Sequence, residues 1–572
     1  INVLIFSMVE MTFPNDILMK GNPYQMIYFS ALLVSLLLTI AMMPLLVRAA
    51  LRFGIVDIPD ARKVHRDPIP RIGGVAIAIG SIVPFVLWRQ PGNFVAAYLA
   101  GAGILVVLGL LDDMRGLNYK IKFAGQIIAA SIVIFYGGLR ITNLGGLLPD
   151  GMILPEWFLI ILTLVAVVGV TNAINLSDGL DGLAGGVCFL SLCCLAYLAY
   201  AIEDATALFI AVSLAGAVFG FLRFNTHPAT LFMGDAGSLF LGFSVITLSL
   251  GMTQGGSPLS PVLPLIILGV PVLDTVTVMA ERLYHGRSPF MPDKNHFHHR
   301  IMRLGFYHTE SVFFIYLIQG CLIIAAILFR FHSDWLLLGS YVIFSALILG
   351  GFFVAEKTGW KVRRFDLIDR VIKGQLKALV DRGVLIRLSF RVIEFGLPAL
   401  VFATCFLPTA VPVYFQIVSA GLLGMLLFIW LLNKNWLRRI GLSLVLYLFI
   451  PFLIFMSVDQ AALVLDGKLL RVMMAACLLM IFFVVLTLKF SRRKKGFHVT
   501  TMDFLIIFLV LIVPFISGAY LQYKNFGLIV AATIMLFFSF EVLIGELRDR
   551  LNRLALLTSA SLLVVVMRGF VG

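Results

Sequence analysis

Polar chemistry in this chain is confined to a few short stretches between long apolar runs. Asp112 and Asp113 stand side by side in Leu-Asp-Asp-Met-Arg-Gly, where one such run ends. Adjacent carboxylates at that kind of boundary are costly unless they are solvated, paired or holding a cation. Their oxygens suit Mg2+, above all when phosphate completes its shell. Residues 171–186, TNAINLSDGLDGLAGG, set Asn172, Asn175, Asp178 and Asp181 three apart, with Gly179, Gly182, Gly185 and Gly186 among them. The spacing predicts polar groups on one side of a helix or of tight turns, and the glycines allow close backbone approach to a ligand.

Two further stretches carry charge of both signs. In RFNTHPATLFMGDAGSLFLG, residues 223–242, Asn225 and His227 precede Asp235 in Gly-Asp-x-Gly-Ser. The N–H groups of a helix starting there face an anion, unless Asp235 and Ser238 merely cap it. Residues 282–305 hold His285, His296, His298, His299 and Arg300, with Asp293 and Lys294 just upstream. Together they form a cationic patch suited to phosphate; the alternative is imidazole ligation of zinc. Lys63, His65, Arg66 and Arg71, ahead of Gly73 and Gly74, contact a phosphate or simply follow the membrane charge bias. Asp274 lies within an apolar run, where an ionisable group marks a candidate site. Acidic side chains for Mg2+ and basic ones for phosphate suggest a phosphoryl reaction, with a lipid as one reactant.

The elements that position these residues are membrane helices. Of 572 residues, 60% are hydrophobic and 13% charged, against about 25% charged in soluble chains; mean hydropathy is +1.02. Runs such as 26–47, 311–328 and 336–354 reach the length of about 20 residues that crosses a bilayer as a helix. The pattern predicts an all-α polytopic membrane protein of about 18 spans, from one centred near residue 36 to one near 562. With the N-terminus outside, the basic loops, including 48–71, 115–122, 282–303, 357–391 and 548–553, fall on the cytoplasmic side with all the polar stretches. That bias accounts for the net charge of +14 without nucleic acid. The six cysteines lie in apolar runs without a Cys-x-x-Cys pair, as packing residues do. Polar groups gathered at one face speak against a transporter, whose site sits near the midplane. A membrane scaffold has no need of Asp178, Asp181 and Asp235.

Four domains are expected: an extracytoplasmic segment 1–24, a membrane domain 25–355 with the polar stretches, a basic connector 356–392, and a further multi-helix region 393–572. In the connector, Ile368, Ile372, Leu376 and Val380 recur every four residues between charges, as in a helix lying on anionic lipid, the alternative being a plain connector between two membrane bundles.

The motifs Asp112-Asp113, Asn172-x-x-Asn175-x-x-Asp178-Gly-x-Asp181-Gly, Gly234-Asp235-x-Gly-Ser238 and His296-x-His298-His299-Arg300, in this order, resemble the polyprenyl-phosphate N-acetylhexosamine-1-phosphate transferases. His-x-His-His-Arg, with Arg71 before Gly73-Gly74, resembles the branch that uses UDP-N-acetylglucosamine. The resemblance spans residues 25–355 and implies transfer of a sugar 1-phosphate from a UDP-sugar to undecaprenyl phosphate, with release of UMP. It also implies Mg2+, with Mn2+ as a substitute, and a site on the cytoplasmic face of the bacterial inner membrane. Another UDP-N-acetylhexosamine, UDP-N-acetylmuramoyl-pentapeptide or a different lipid-phosphate transfer are the alternatives. By resemblance, Asp235 is the principal metal ligand, joined by Asp178. Asp112 and Asp113 lie beside the lipid phosphate, Asp113 assisting its activation; His298 completes the catalytic set. Lys63, Arg71, Lys122, Asn172, Asn175, Asp181, Asn225, His296, His299 and Arg300 bind substrate, with Asp181 toward uracil. The family generally ends after ten or eleven spans, so the spans beyond are expected to serve a homodimer, a downstream glycosyltransferase or the lipid product.

Overall fold

The computed structural model describes residues 23–57, 68–88, 92–149, 152, 154–288, 295–362, 384–408, 411–432, 435–464, 468–490, 526–547 and 551–571. Lys63, His65, Arg66, Asp293, Lys294, the connector pattern 368–380 and the span expected near residue 511 lie outside them. The chain divides into two compact units, before and after Val362.

The first unit holds α1 (Pro23–Phe53), the strand pair β1 (Val56–Asp57) and β2 (Ile69–Pro70), then α2 (Gly73–Trp88), α3 (Asn93–Arg115), α4 (Tyr119–Phe135), α5 (Glu156–Ser177), α6 (Leu183–Ala201), α7 (Ala205–Asn225) and α8 (Gly234–Thr253). Short α9 (Leu263–Ile267), α10 (Gly269–Tyr284), short α11 (Phe297–Arg303), α12 (His308–Phe329) and α13 (Asp334–Lys357) follow. Among the described residues of the whole chain, nine helices are long and apolar enough to cross a membrane, and four shorter apolar ones accompany them. The chain is therefore a multi-pass membrane protein.

The hub is α8, whose apolar window is 94% buried where that of α13 is 17% buried. It packs against α2, α3, α5 and α6. Bilayer helices associate through small residues that let backbones meet, and α8 is built that way. A Cβ added at Gly74 would strike the backbone of Gly237, one at Gly109 that of Ala236, and one at Gly242 that of Thr171. These contacts hold the N-terminus of α8 against α2 and α3.

Two features depart from the sequence expectation. The expected all-α fold includes a two-stranded antiparallel pair, Val56 opposite Pro70 and Asp57 opposite Ile69. Phe232 N–H donates to Pro70 O (2.8 Å), while Gly73 and Gly74 donate to Phe232 O (3.0 Å) and Met233 O (2.8 Å), which stitches the entry of α2 to that of α8. The single span expected near residue 270 is broken into α9 and α10. Pro271 has no N–H for the carbonyl of Ile267 four residues back; Gln319 (2.6 Å) and Ser191 (3.0 Å) donate to it instead, as a buried carbonyl requires.

The second unit contains α14 (Val384–Thr404), which begins inside the stretch expected as a connector, α15 (Val413–Leu431), α16 (Asn435–Val464), α17 (Lys468–Phe490), α18 (Phe526–Leu547) and α19 (Asn552–Val571). There α15 packs on α16 and α19, α14 on α17, and α16 on α18.

Candidate active site

Four helix ends converge on one charge cluster. Asp112 and Asp113 close α3, Lys122 lies in the first turns of α4, Asn175 and Asp178 end α5, and Asp235 opens α8. Lys122 Nζ bridges the cluster, 2.8 Å from Asp112 Oδ2 and 3.1 Å from Asp235 Oδ2. Asp112 Oδ1 also accepts the Leu117 N–H at 2.5 Å, which fixes its carboxylate plane. Asn175 Nδ2 donates to Asp235 Oδ1 (3.2 Å) and to Ser238 Oγ (2.7 Å), tying α5 to the first turn of α8.

Asp113 faces elsewhere than its neighbour. Its two oxygens accept the N–H groups of Asp235 (3.1 Å) and Ala236 (3.2 Å), which belong to the unpaired first turn of α8. Gly234 makes the contact possible. Its φ is +72°, a region that favours glycine, and a Cβ there would collide with the Asp113 carboxylate.

The regular spacing of 172, 175, 178 and 181 does not place four groups on one face, because α5 ends at Ser177. Asn172 pairs reciprocally with Gln126 of α4 and also donates to Val168 O at 2.8 Å. Asp178 follows the helix end. Burial first, then the carboxylates of Asp235, Asp113 and Asp181, push it up to about 7. Asp181 lies in the turn beyond, where His227 Nδ1 (2.8 Å) and the Ala229 N–H (3.1 Å) donate to its Oδ2. Burial alone would raise its carboxyl, but the His227 hydrogen bond, His308 and the Ala229 N–H hold it below its ordinary range. The rings of His227 and His308 stack at 4.3 Å. Asn225 is buried and ties loops together, accepting the Gly182 N–H (3.0 Å) and donating to Leu231 O (2.9 Å).

The histidine stretch is read differently in the fold. The sequence suggests one cationic patch, whereas the structure gives Arg300 and His296 carboxylate partners. Arg300 is buried against Glu281 and donates from Nε to Asn295 O at 3.0 Å. His296 Nδ1 donates to Asp274 Oδ2 at 3.0 Å. His298 lies against Gly179, where an added Cβ would meet its ring. Burial first, then His299, His296 and His308, push His298 down to about 3, so it is a neutral ring at neutral pH. Its ordinary value is 6.5. Below that, the unfolded chain takes up a proton that the folded chain refuses, so this contribution to stability falls as pH drops toward about 3. The thermal midpoint of the wild type should therefore decline more steeply than that of His298→Gln between about pH 7.5 and pH 5. Parallel curves would contradict the buried, neutral assignment.

Arg71 pairs with Asp57 across the strand pair and contributes favourable charge at both Asp113 and Asp178. Among the described residues, a nitrogen-rich metal grouping occurs at Asp181, His227 and His308, with donor atoms within 4.8 Å of one another, rather than at residues 296–299. In that grouping His227 Nδ1 is engaged by Asp181 Oδ2 and His308 Nε2 accepts the Asp181 N–H at 3.3 Å, while His308 Nδ1 is buried without a hydrogen-bond partner. The oxygen-rich cluster around Asp235 has the donor chemistry of a hard divalent cation site. Asp57, Gln126, Glu281 and His308 were not singled out from sequence. Each falls outside the four motifs, and its role appears only with its partner.

Residues 95–253 match the family model described as glycosyl transferase family 4. The chain is 39% identical over 350 residues to a Bacillus subtilis (strain 168) protein named probable undecaprenyl-phosphate N-acetylglucosaminyl 1-phosphate transferase, covering 61% of this chain and 96% of that one. It is 34% identical over 327 residues to the undecaprenyl-phosphate alpha-N-acetylglucosaminyl 1-phosphate transferase of Escherichia coli (strain K12), with 56% and 88% covered. A decaprenyl-phosphate N-acetylglucosaminephosphotransferase of Mycolicibacterium smegmatis (strain ATCC 700084 / mc(2)155) is 36% identical over 312 residues, with 48% and 76% covered.

Proposed function

The chain belongs to glycosyl transferase family 4, and from that premise we propose that it transfers N-acetylglucosamine 1-phosphate from UDP-N-acetylglucosamine to undecaprenyl phosphate. The observation that carries this reading is the meeting of Asp112, Lys122, Asn175, Asp178 and Asp235 at four helix ends. A phosphate oxygen of the lipid attacks the β-phosphorus of the donor. The bond from that phosphorus to the bridging oxygen breaks, and UMP leaves with the electron pair.

The donor set fits a hard divalent cation. Asp235, with Asp178, offers carboxylate oxygens, and Lys122 already lodges a positive charge against Asp235. Asp235 and Asp178 would hold Mg2+, with Mn2+ as a substitute; the ion neutralises the charge that develops on the phosphates. The residues of the chain supply the rest. Lys122, and Arg71 with Lys63, draw in phosphate, and Asp112 sets the position of Lys122. Asn175 orients Asp235. Asp181 lies at the nucleobase end, while His296, His298, His299 and Arg300 close around the diphosphate and sugar. Asn172 and Asn225 act by fixing the helices and turns that carry these groups. A phosphate monoester is ionised near neutral pH, so the nucleophile needs no strong base and direct attack suffices.

The Lys and Arg distribution supports an active site on the cytoplasmic face of a bacterial inner membrane, with the N-terminus outside and about 18 spans in all. Residues 25–355 form the transferase domain and 356–392 a basic connector. The helices beyond give a surface for a homodimer or a later glycosyltransferase.

The test is to incubate purified protein, Mg2+ and undecaprenyl phosphate with separate UDP-sugars, measuring UMP and the mass of the lipid product. UMP together with a lipid-diphosphate N-acetylglucosamine is expected. Product from another UDP-sugar alone would replace the donor, and no UMP from any donor with folded protein would refute the transferase reading.

A further inference from the structure

One carboxylate in the first unit lies outside the charge cluster yet grips the histidine stretch directly. Asp274 is buried within α10 and has both oxygens occupied: Oδ2 accepts His296 Nδ1–H at 3.0 Å and Oδ1 accepts the Phe297 N–H at 2.8 Å. One side chain therefore orients the His296 ring and anchors the start of α11. Glu281 holds Arg300 from the same helix, two turns further on and on the same face. Residues 295–300 are thus clamped to α10 at two points. The ring of His298 runs nearly parallel to that of His296, 7° between planes and 5.9 Å between centroids. Asp274, His298, Phe297 and Ser177 line one small cavity at the end of α5.

We propose that Asp274 is a positioning residue for the transfer reaction: it fixes which nitrogen of His296 carries the proton and holds His298 against the Gly179 turn. The proposal rests on the phosphotransfer reading of the site. The proton placement follows from hydrogen-bond polarity. A carboxylate only accepts, so His296 keeps its proton on Nδ1 and leaves Nε2 as an acceptor. An asparagine at 274 can still accept the Phe297 N–H, but its amide donates toward Nδ1 and drives the ring to the opposite tautomer. Asp274→Asn is nearly isosteric, so it separates proton placement from simple packing.

The experiment has two arms on the full-length purified protein. In the first, diethylpyrocarbonate labelling of each histidine is followed by mass spectrometry in the wild type and Asp274→Ala. Labelling of His296 and His298 should rise several-fold, while exposed His285 and His332 stay unchanged. In the second, Asp274→Asn should lower kcat by about ten- to a hundredfold, the scale for partners that orient functional imidazoles, with the KM for the UDP-sugar nearly constant. Unchanged labelling in Asp274→Ala overturns the tether, and wild-type kcat in Asp274→Asn overturns the positioning role. If the wild type itself forms no UMP, the phosphotransfer reading falls and this role falls with it, while labelling still judges the tether.

Discussion

Asp235→Ala should lower UMP formation by about a thousandfold or more, the equivalent of roughly 4 kcal/mol in the transition state. The size follows from how much converges on this carboxylate. Its Oδ2 faces Lys122 at 3.1 Å, and its Oδ1 receives Asn175 at 3.2 Å. It stands at the N-terminus of α8 and offers the oxygens that a divalent cation needs between two anionic substrates. The fold should survive the change. The capping of α8 by Asp113 uses backbone N–H groups, and the contacts through Gly74 and Gly109 involve the backbone of α8, all of which alanine keeps. Steady-state UMP release, the thermal midpoint and Mn2+ binding by electron paramagnetic resonance should therefore separate. Activity and ion binding collapse while the midpoint moves little. Retention of more than a tenth of the wild-type rate would remove Asp235 from the centre of the mechanism.

How far the fold was legible follows from what an apolar chain makes conspicuous. Carboxylates are rare against long hydrophobic runs, so Asp112, Asp113, Asp178 and Asp235 stood out in sequence, and the structure brings the ends of α3, α5 and α8 together around them. Their orientations were not legible. The three-residue spacing from Asn172 to Asp181 is compatible with one helix face, but α5 stops at Ser177. Asn172 then points to Gln126 and Asp181 to His227. Asn225 reads as a ligand from its place with His227 ahead of Asp235, where capping does not account for it, and its amide is engaged by Gly182 and Leu231. Asp274 could be flagged as a charge in an apolar run, but its partner lies 22 residues away and no periodicity links them. The strand pair is two residues long on each side, too short for an alternating pattern. The break at Pro271 depended on a glutamine 48 residues downstream that takes up the freed carbonyl.

Asp113→Asn is the change in which activity and stability should fall together. If Asp113 were a base for the lipid phosphate, the amide would slow the reaction and leave the fold intact. The structure sets a different expectation. Both oxygens of Asp113 receive N–H groups at the start of α8; asparagine can accept only one, and its own NH2 is forced against the other. An orphaned buried N–H costs about 1–3 kcal/mol, and the group orphaned is that of Asp235 or the residue after it. The thermal midpoint should drop by several degrees, and activity by about a hundredfold, because Asp235 shifts from the geometry that transfer demands. Asp112→Asn provides the contrast. Asp112 accepts from Lys122 and Leu117 and caps no helix, so activity should fall without a comparable loss of stability. An Asp113→Asn protein as stable as the wild type but inactive would return Asp113 to the role of base. A joint loss would make the first of the two adjacent aspartates a partner of Lys122, and the second a structural clamp on the first turn of α8, where Asp235 stands.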